Sequence, residues 1–110
     1  MASRREPSHE DVTVPTDLPP ATGELADAFL SLRDRGEMLR FLRDLCTRQE
    51  LEALGHRWQI VSLLDQHVPY VEIAERVGAS TTTVTRVAQW FRHGAGGYRT
   101  ALDRAGRAGG

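Results

Sequence analysis

The residues from Tyr70 to Phe91, YVEIAERVGASTTTVTRVAQWF, constrain this chain more than any other stretch. Ile73, Ala74 and Val77 recur at the three-and-four spacing that lines one face of a helix. Val84, Val87, Ala88 and Phe91 do the same further on. Between the stripes stands Gly78, a residue free to take the left-handed backbone that closes a helix. Ala74 is small where two helices cross closely, and Val84 is spaced to pack back beneath the first helix. The pattern predicts a helix-turn-helix. It also leaves a puzzle, because the second helix opens on Ser80, Thr81, Thr82 and Thr83. Threonine is a mediocre helix former, since packing against the preceding turn restricts its χ1. A row of such residues is a poor choice unless the hydroxyls are needed.

Helical periodicity continues on both sides, with no convincing strand. Leu25, Phe29 and Leu32 mark one helix, ending near Gly36, and Met38, Phe41, Leu42 and Leu45 mark a second. In TRQE, Thr47 and Glu50 have the spacing of a capping box. The helix it opens is the longest, with Leu51, Leu54, Trp58, Val61 and Asp65 on one side and Ile60 and Leu64 beside them, running to about Gln66. Pro69 suits the first turn of the short helix that follows. The Ser80 helix runs to about His93, where GAGG breaks it, and Tyr98, Ala101, Leu102 and Ala105 mark a sixth helix. The expectation is an all-α domain of six helices over residues 23–105. Residues 1–22, with four prolines and no apolar period, are expected to be a disordered arm, and residues 106–110 a frayed tail.

Net charge is only −1, which on its face argues against a nucleic-acid partner. The distribution argues the other way. From Ser80 onward five arginines (Arg86, Arg92, Arg99, Arg104 and Arg107) face one acid, Asp103. The preceding 79 residues hold nine arginines against fourteen acids. A basic third on an otherwise acidic chain is the electrostatic footprint expected of a DNA-binding element. All fourteen basic residues are arginine, which a GC-rich genome produces without functional cause. Neither a membrane span nor a signal peptide is visible, so a cytoplasmic protein is expected. The lone cysteine, Cys46, sits near Phe41, Leu42 and Leu45 and is expected to be a reduced, buried thiol.

The helix-turn-helix reading resolves the puzzle of the threonines. The N-terminal end of the second helix enters the major groove, where short hydroxyls bond phosphates or base edges and threonine methyls meet thymine methyls. The free amides of that helix end attract phosphate as well. Ser80, Thr81, Thr82, Thr83 and Thr85 are the candidates, with Arg86 one turn in as a bidentate partner for guanine and Arg92 as a further contact. The partner is then a double-stranded operator. A helical adaptor that uses the same surface to hold a protein is the alternative, and steep salt dependence of duplex binding separates the two. Enzymatic function is not expected. His9, His56, His67 and His93 have no metal-ligand spacing, and Glu50 and Glu52 fall on different helical faces. No cofactor or metal is anticipated.

QELEALGHRWQIVSLL followed by YVEIAERVGASTTTVTRVAQWF resembles the Trp repressor superfamily. DLCTRQELEAL and HGAGGYRTALDRAG are similar to its YerC/YecD branch. The resemblance covers about residues 23–105 and implies an intertwined all-helical homodimer that binds operator DNA and regulates transcription, as a repressor. It also implies a corepressor pocket, with Arg57 and Arg86 at the places of the family's ligand-binding arginines and Thr47 matching a pocket threonine. The chain departs from the pattern at two positions. The glycine that leaves room for the indole is Val87 here, and a small serine is Trp90. The pocket is therefore expected to be vestigial, with tryptophan no corepressor and any other small-molecule effector unknown. The Trp90 indole is expected either to occupy part of the ligand's space or to pack at the dimer interface. About 80 ordered residues bury only a marginal core alone, which also favours a dimer, with Leu25, Phe29, Leu32, Trp58 and Leu102 as its interface.

Overall fold

A computed structural model of the chain describes residues 14–109. Six helices follow one another: α1 (Thr22–Ser31), α2 (Arg35–Leu45), α3 (Arg48–Asp65), α4 (Tyr70–Val77), α5 (Thr81–His93) and α6 (Gly97–Gly109). The fold is all-α, and no strand occurs among the described residues. Residues 1–13 of the expected arm lie outside the described residues. Val14 to Ala21 form only bends and a turn before α1. At the other end α6 continues through Gly109, past its expected close near residue 105, because no proline follows Ala105 and isolated glycines such as Gly106 only weaken a helix.

The helix starts follow local chemistry. The Asp34 side chain accepts from the Glu37 amide at 2.9 Å and caps α2. The Thr47 hydroxyl accepts from the Glu50 amide at 3.1 Å while Glu50 accepts from the Thr47 amide at 2.8 Å, so both halves of the expected capping box form. Two helix ends use the left-handed region. Gly78 closes α4 at φ 81°, with the Ala79 amide donating to the Ala74 carbonyl at 3.0 Å. The end of α3 does the same with His67, at φ 63°. There the Val68 amide donates to Leu63 O at 3.1 Å and the His67 amide to Leu64 O at 2.9 Å, the two crossed bonds of a Schellman closure.

The core is small and lies toward the C-terminal side. Ile60, Val61 and Leu64 of α3 meet Ile73 and Ala74 of α4 and Val84, Val87 and Ala88 of α5. Tyr98 and Leu102 of α6 pack against its edge. Four of these side chains, Ile60, Val61, Ile73 and Val84, have no solvent exposure, and truncating such a residue to alanine costs about 2–5 kcal/mol. Leu102, expected at the interface, thus rests on its own chain's core.

The stripes of α1 and α2 behave differently. Neither helix buries a single residue. Phe29 and Phe41 meet edge to face, ring centroids 5.3 Å apart, and hold the two helices together. Leu30 is 82% exposed, and Leu39, Leu45 and Leu54 are also open. The long stripe of α3 is split, its second half buried and its first half, with Leu54 and Trp58, uncovered. Cys46 caps the end of α2 and is half-buried rather than buried, because the α2 face near it has no partner in this chain. A radius of gyration of 16.0 Å, against roughly 13 Å for a globule of this length, reflects the uncovered helices α1 and α2.

Candidate nucleic-acid interface

The start of α5 shows what its hydroxyls do. Ser80 is the N-cap: its Oγ accepts from the Thr83 amide at 3.1 Å and donates to Thr83 Oγ1 at 3.1 Å. These two hydroxyls are committed to the helix end. Thr81, Thr82 and Thr85 are exposed and have no side-chain hydrogen bond among the described residues. No acid occupies the first turn of α5, so nothing there repels a phosphate approaching the free amides.

Val84, Val87 and Ala88 face the core, with half-buried Phe91 on the same side, which fixes the rotation of α5. Helical periodicity then puts Thr82, Arg86, Gln89 and His93 opposite, with Thr81, Thr85 and Arg92 on one flank and Trp90 on the other. Gln89 was missed by sequence reasoning. Its position seven residues after Thr82 was the available signal, since such residues share a face.

The arginines divide into distinct groups. Arg86 is exposed and makes no ion pair among the described residues. Arg92 lies 6.0 Å from the centroid of the Tyr70 ring, a cation–π contact that joins the end of α5 to the start of α4. Arg99 is not a spare cation. It pairs with Asp65 and Asp103, and hydrogen bonds to these acids hold its proton more firmly than usual. The Arg99 hydrogen bond is also the main reason the Asp65 carboxyl is held below its ordinary range. The positive surplus counted along the sequence is smaller at the surface by this pairing.

Beside α5 lies a cleft of about 630 Å³, lined by Arg57, Arg86, Val87, Trp90, the Gly94–Gly97 loop and Tyr98. Four of the five residues expected to mark an effector pocket therefore converge. Thr47 does not line the cleft; its hydroxyl caps α3. Trp90 forms a wall without plugging the space, and it stays 66% exposed. Gly94 lies against the indole, since a Cβ built there would come within 3.3 Å of the Trp90 ring, so the loop and Trp90 share one side of the cleft. Two guanidinium groups beside aromatic walls are suited to a planar anion. No group of three or more His, Cys, Asp or Glu side chains that could hold a metal exists among the described residues.

Two helices joined at a left-handed glycine, the second with a polar outer face and no first-turn acid, define a helix-turn-helix domain. Residues 22–106 match the family model described as Trp repressor protein. The YerC protein of Bacillus subtilis (strain 168) is 38% identical over 81 residues, 74% of this chain and 78% of that protein. A Trp operon repressor homolog from Actinobacillus succinogenes is 44% identical over 52 residues, 46% of this chain and 52% of that one. Among solved structures, a candidate Trp repressor from Staphylococcus aureus superposes with a TM-score of 0.75 at 37% identity, covering 81% of this chain and 89% of the other. A TrpR-like protein from Eubacterium eligens gives 0.75 at 38% identity, covering 80% and 91%. The chain belongs to the Trp repressor family. Family and fold together are those of a DNA-binding regulator.

Proposed function

We propose that the protein is a sequence-specific transcriptional repressor in the cytoplasm that binds operator DNA as a homodimer, with α5 as its reading helix. The observation that carries this reading is the outer face of α5. Thr81, Thr82, Thr85 and Gln89 stand exposed on it beside Arg86, while the hydroxyls of Ser80 and Thr83 hold the helix end in place. Thr81, Thr82 and Thr85 offer short contacts to phosphates and base edges, Arg86 a bidentate contact to guanine, and Arg92 a backbone contact. The uncovered leucines of α1, α2 and the first half of α3 support the homodimer, because a two-fold operator needs two reading heads and these faces have no cover in one chain. That these faces lie on α1, α2 and the first half of α3, outside the core, supports an intertwined pairing of the two chains. The test is selection of bound genomic fragments by the purified protein. It should recover a two-fold sequence bound with steep salt dependence. Recovery of random sequence with no enrichment would favour a protein partner for the same surface.

DNA binding by this protein is proposed to need no tryptophan. Val87 and Trp90 are built into the cleft wall at the positions where the family's ligand needs small residues. Calorimetry should detect no tryptophan binding at millimolar ligand, and operator affinity should not change when it is added. A tenfold gain in affinity with tryptophan, about 1.4 kcal/mol of coupling, would defeat this part of the reading.

A further inference from the structure

The link from α5 to α6 runs through Gly94–Gly97, with Gly96 at φ 88°. A backbone this permissive fixes no angle between the two helices. Within one chain, the direction of α6 is set by what it touches, and among the described residues three side chains make those contacts. Tyr98 meets Phe91 edge-on with centroids 6.3 Å apart, and Leu102 rests on the core. Arg99 supplies a third contact. Its Nη1 and Nη2 donate to the two carboxylate oxygens of Asp65 at 2.8 and 3.3 Å. Its Nε and Nη2 donate to Asp103 Oδ1 at 3.0 and 2.9 Å. The guanidinium carbon also lies 5.9 Å from the centroid of the Phe91 ring. One side chain thereby touches the end of α3, the last turns of α5 and the next turn of α6.

Charge alone would make Arg99 one more cation offered to DNA. The two acids argue otherwise, since a phosphate would have to compete with both carboxylates for the same donors. Nor is the cluster a strong stabiliser, for its three side chains are 37–49% exposed and exposed ion pairs contribute little. What a planar fork between two carboxylates provides is direction. We propose that Arg99, gripped by Asp65 and Asp103, is a positioning residue that fixes the angle between α6 and the reading helix and thereby the specificity of DNA binding. The last clause rests on α5 being the reading helix.

The variants Asp65→Asn and Arg99→Gln, and the two combined, test the clamp in the full chain. The probes are a duplex selected from genomic fragments and a scrambled duplex of equal length. Each single variant should lose about tenfold in affinity for the selected duplex and keep its affinity for the scrambled one. The double variant should be no worse than Arg99→Gln alone, because losing Arg99 already breaks the bond that Asp65→Asn removes. Tighter binding of both duplexes by Asp65→Asn would overturn the proposal, since it would show Arg99 released to act as a phosphate anchor. Amide exchange over residues 97–106 gives a readout that does not depend on DNA. Faster exchange in both variants supports the clamp, and unchanged exchange overturns it. If the wild-type protein distinguishes no duplex, the reading of α5 fails and with it the effect on specificity, while exchange still decides the clamp.

Discussion

Two helix ends in this chain adopt the same unusual backbone with opposite residues, and exchanging their chemistry should shift stability in opposite directions. Gly78 closes α4 at φ 81° and His67 closes α3 at φ 63°. In the left-handed region a side chain costs roughly 1–2 kcal/mol. Removing glycine's freedom from the unfolded chain returns about 0.4–1 kcal/mol. No heavy atom beyond its immediate neighbours lies within 4 Å of a Cβ built on Gly78, so Gly78→Ala carries no steric term. The net expectation is a loss of about 0.5–1 kcal/mol for Gly78→Ala and a gain of similar size for His67→Gly. The crossed hydrogen bonds at His67 are backbone to backbone and survive its replacement. Thermal unfolding at fixed protein concentration should show shifts of roughly 2–8 °C, downward for the first variant and upward for the second. Operator affinity should follow only the folded fraction, because neither position carries a reading side chain. Loss of stability in His67→Gly, or none in Gly78→Ala, would refute the assignment of the cost to backbone conformation.

Arg86→Ala should weaken specific binding by about 1–3 kcal/mol and relax preference at one base pair of each half-site, read by competition among single-base variants. Equal loss for every sequence would make Arg86 a phosphate anchor. Leu30→Ser should raise the dimer dissociation constant at least tenfold in sedimentation equilibrium, about 1.4 kcal/mol, without loss of helical content, since Leu30 touches no core in its own chain. The Asp65 carboxyl titrates below its unfolded value, first because of the hydrogen bond from Arg99. Its contribution should be fully present above about pH 4–5 and disappear as pH falls through the lowered value. Acid titration of α6 amide exchange should show this step in the wild type and lack it in Asp65→Asn.

The helix order, the capping box and the helix-turn-helix were legible in the sequence, because each is encoded by residues a few positions apart. Thr47 and Glu50 bond to each other, and Gly78 closes the helix it follows. What sequence periodicity could not show was which stripe is buried by its own chain. Leu54 and Val61 belong to one stripe, yet only Val61 is enclosed, because enclosure depends on α4 and α5 returning beside the end of α3. Arg99 was counted as spare positive charge for a similar reason, its partner Asp65 being 34 residues away. The left-handed histidine escaped notice because glycine is the usual signal for that conformation. Gln89 was readable from helical spacing and was overlooked beside the more conspicuous threonines.

The confinement of the core to residues 60–88, in three successive helices, has a kinetic consequence. Contacts between neighbouring segments close short loops, and domains built from them fold on the microsecond-to-millisecond scale. No residue of α1 or α2 is fully buried in one chain, so in the proposed homodimer the covering of their faces is a bimolecular event. Refolding of the proposed homodimer should separate into a fast phase that ignores protein concentration and a slower phase whose rate rises with it. In a dilute cell the second phase sets the delay between synthesis and regulation. The proposed homodimer would become competent only as its own concentration grows, and its onset would therefore be steeper in time than the synthesis that feeds it.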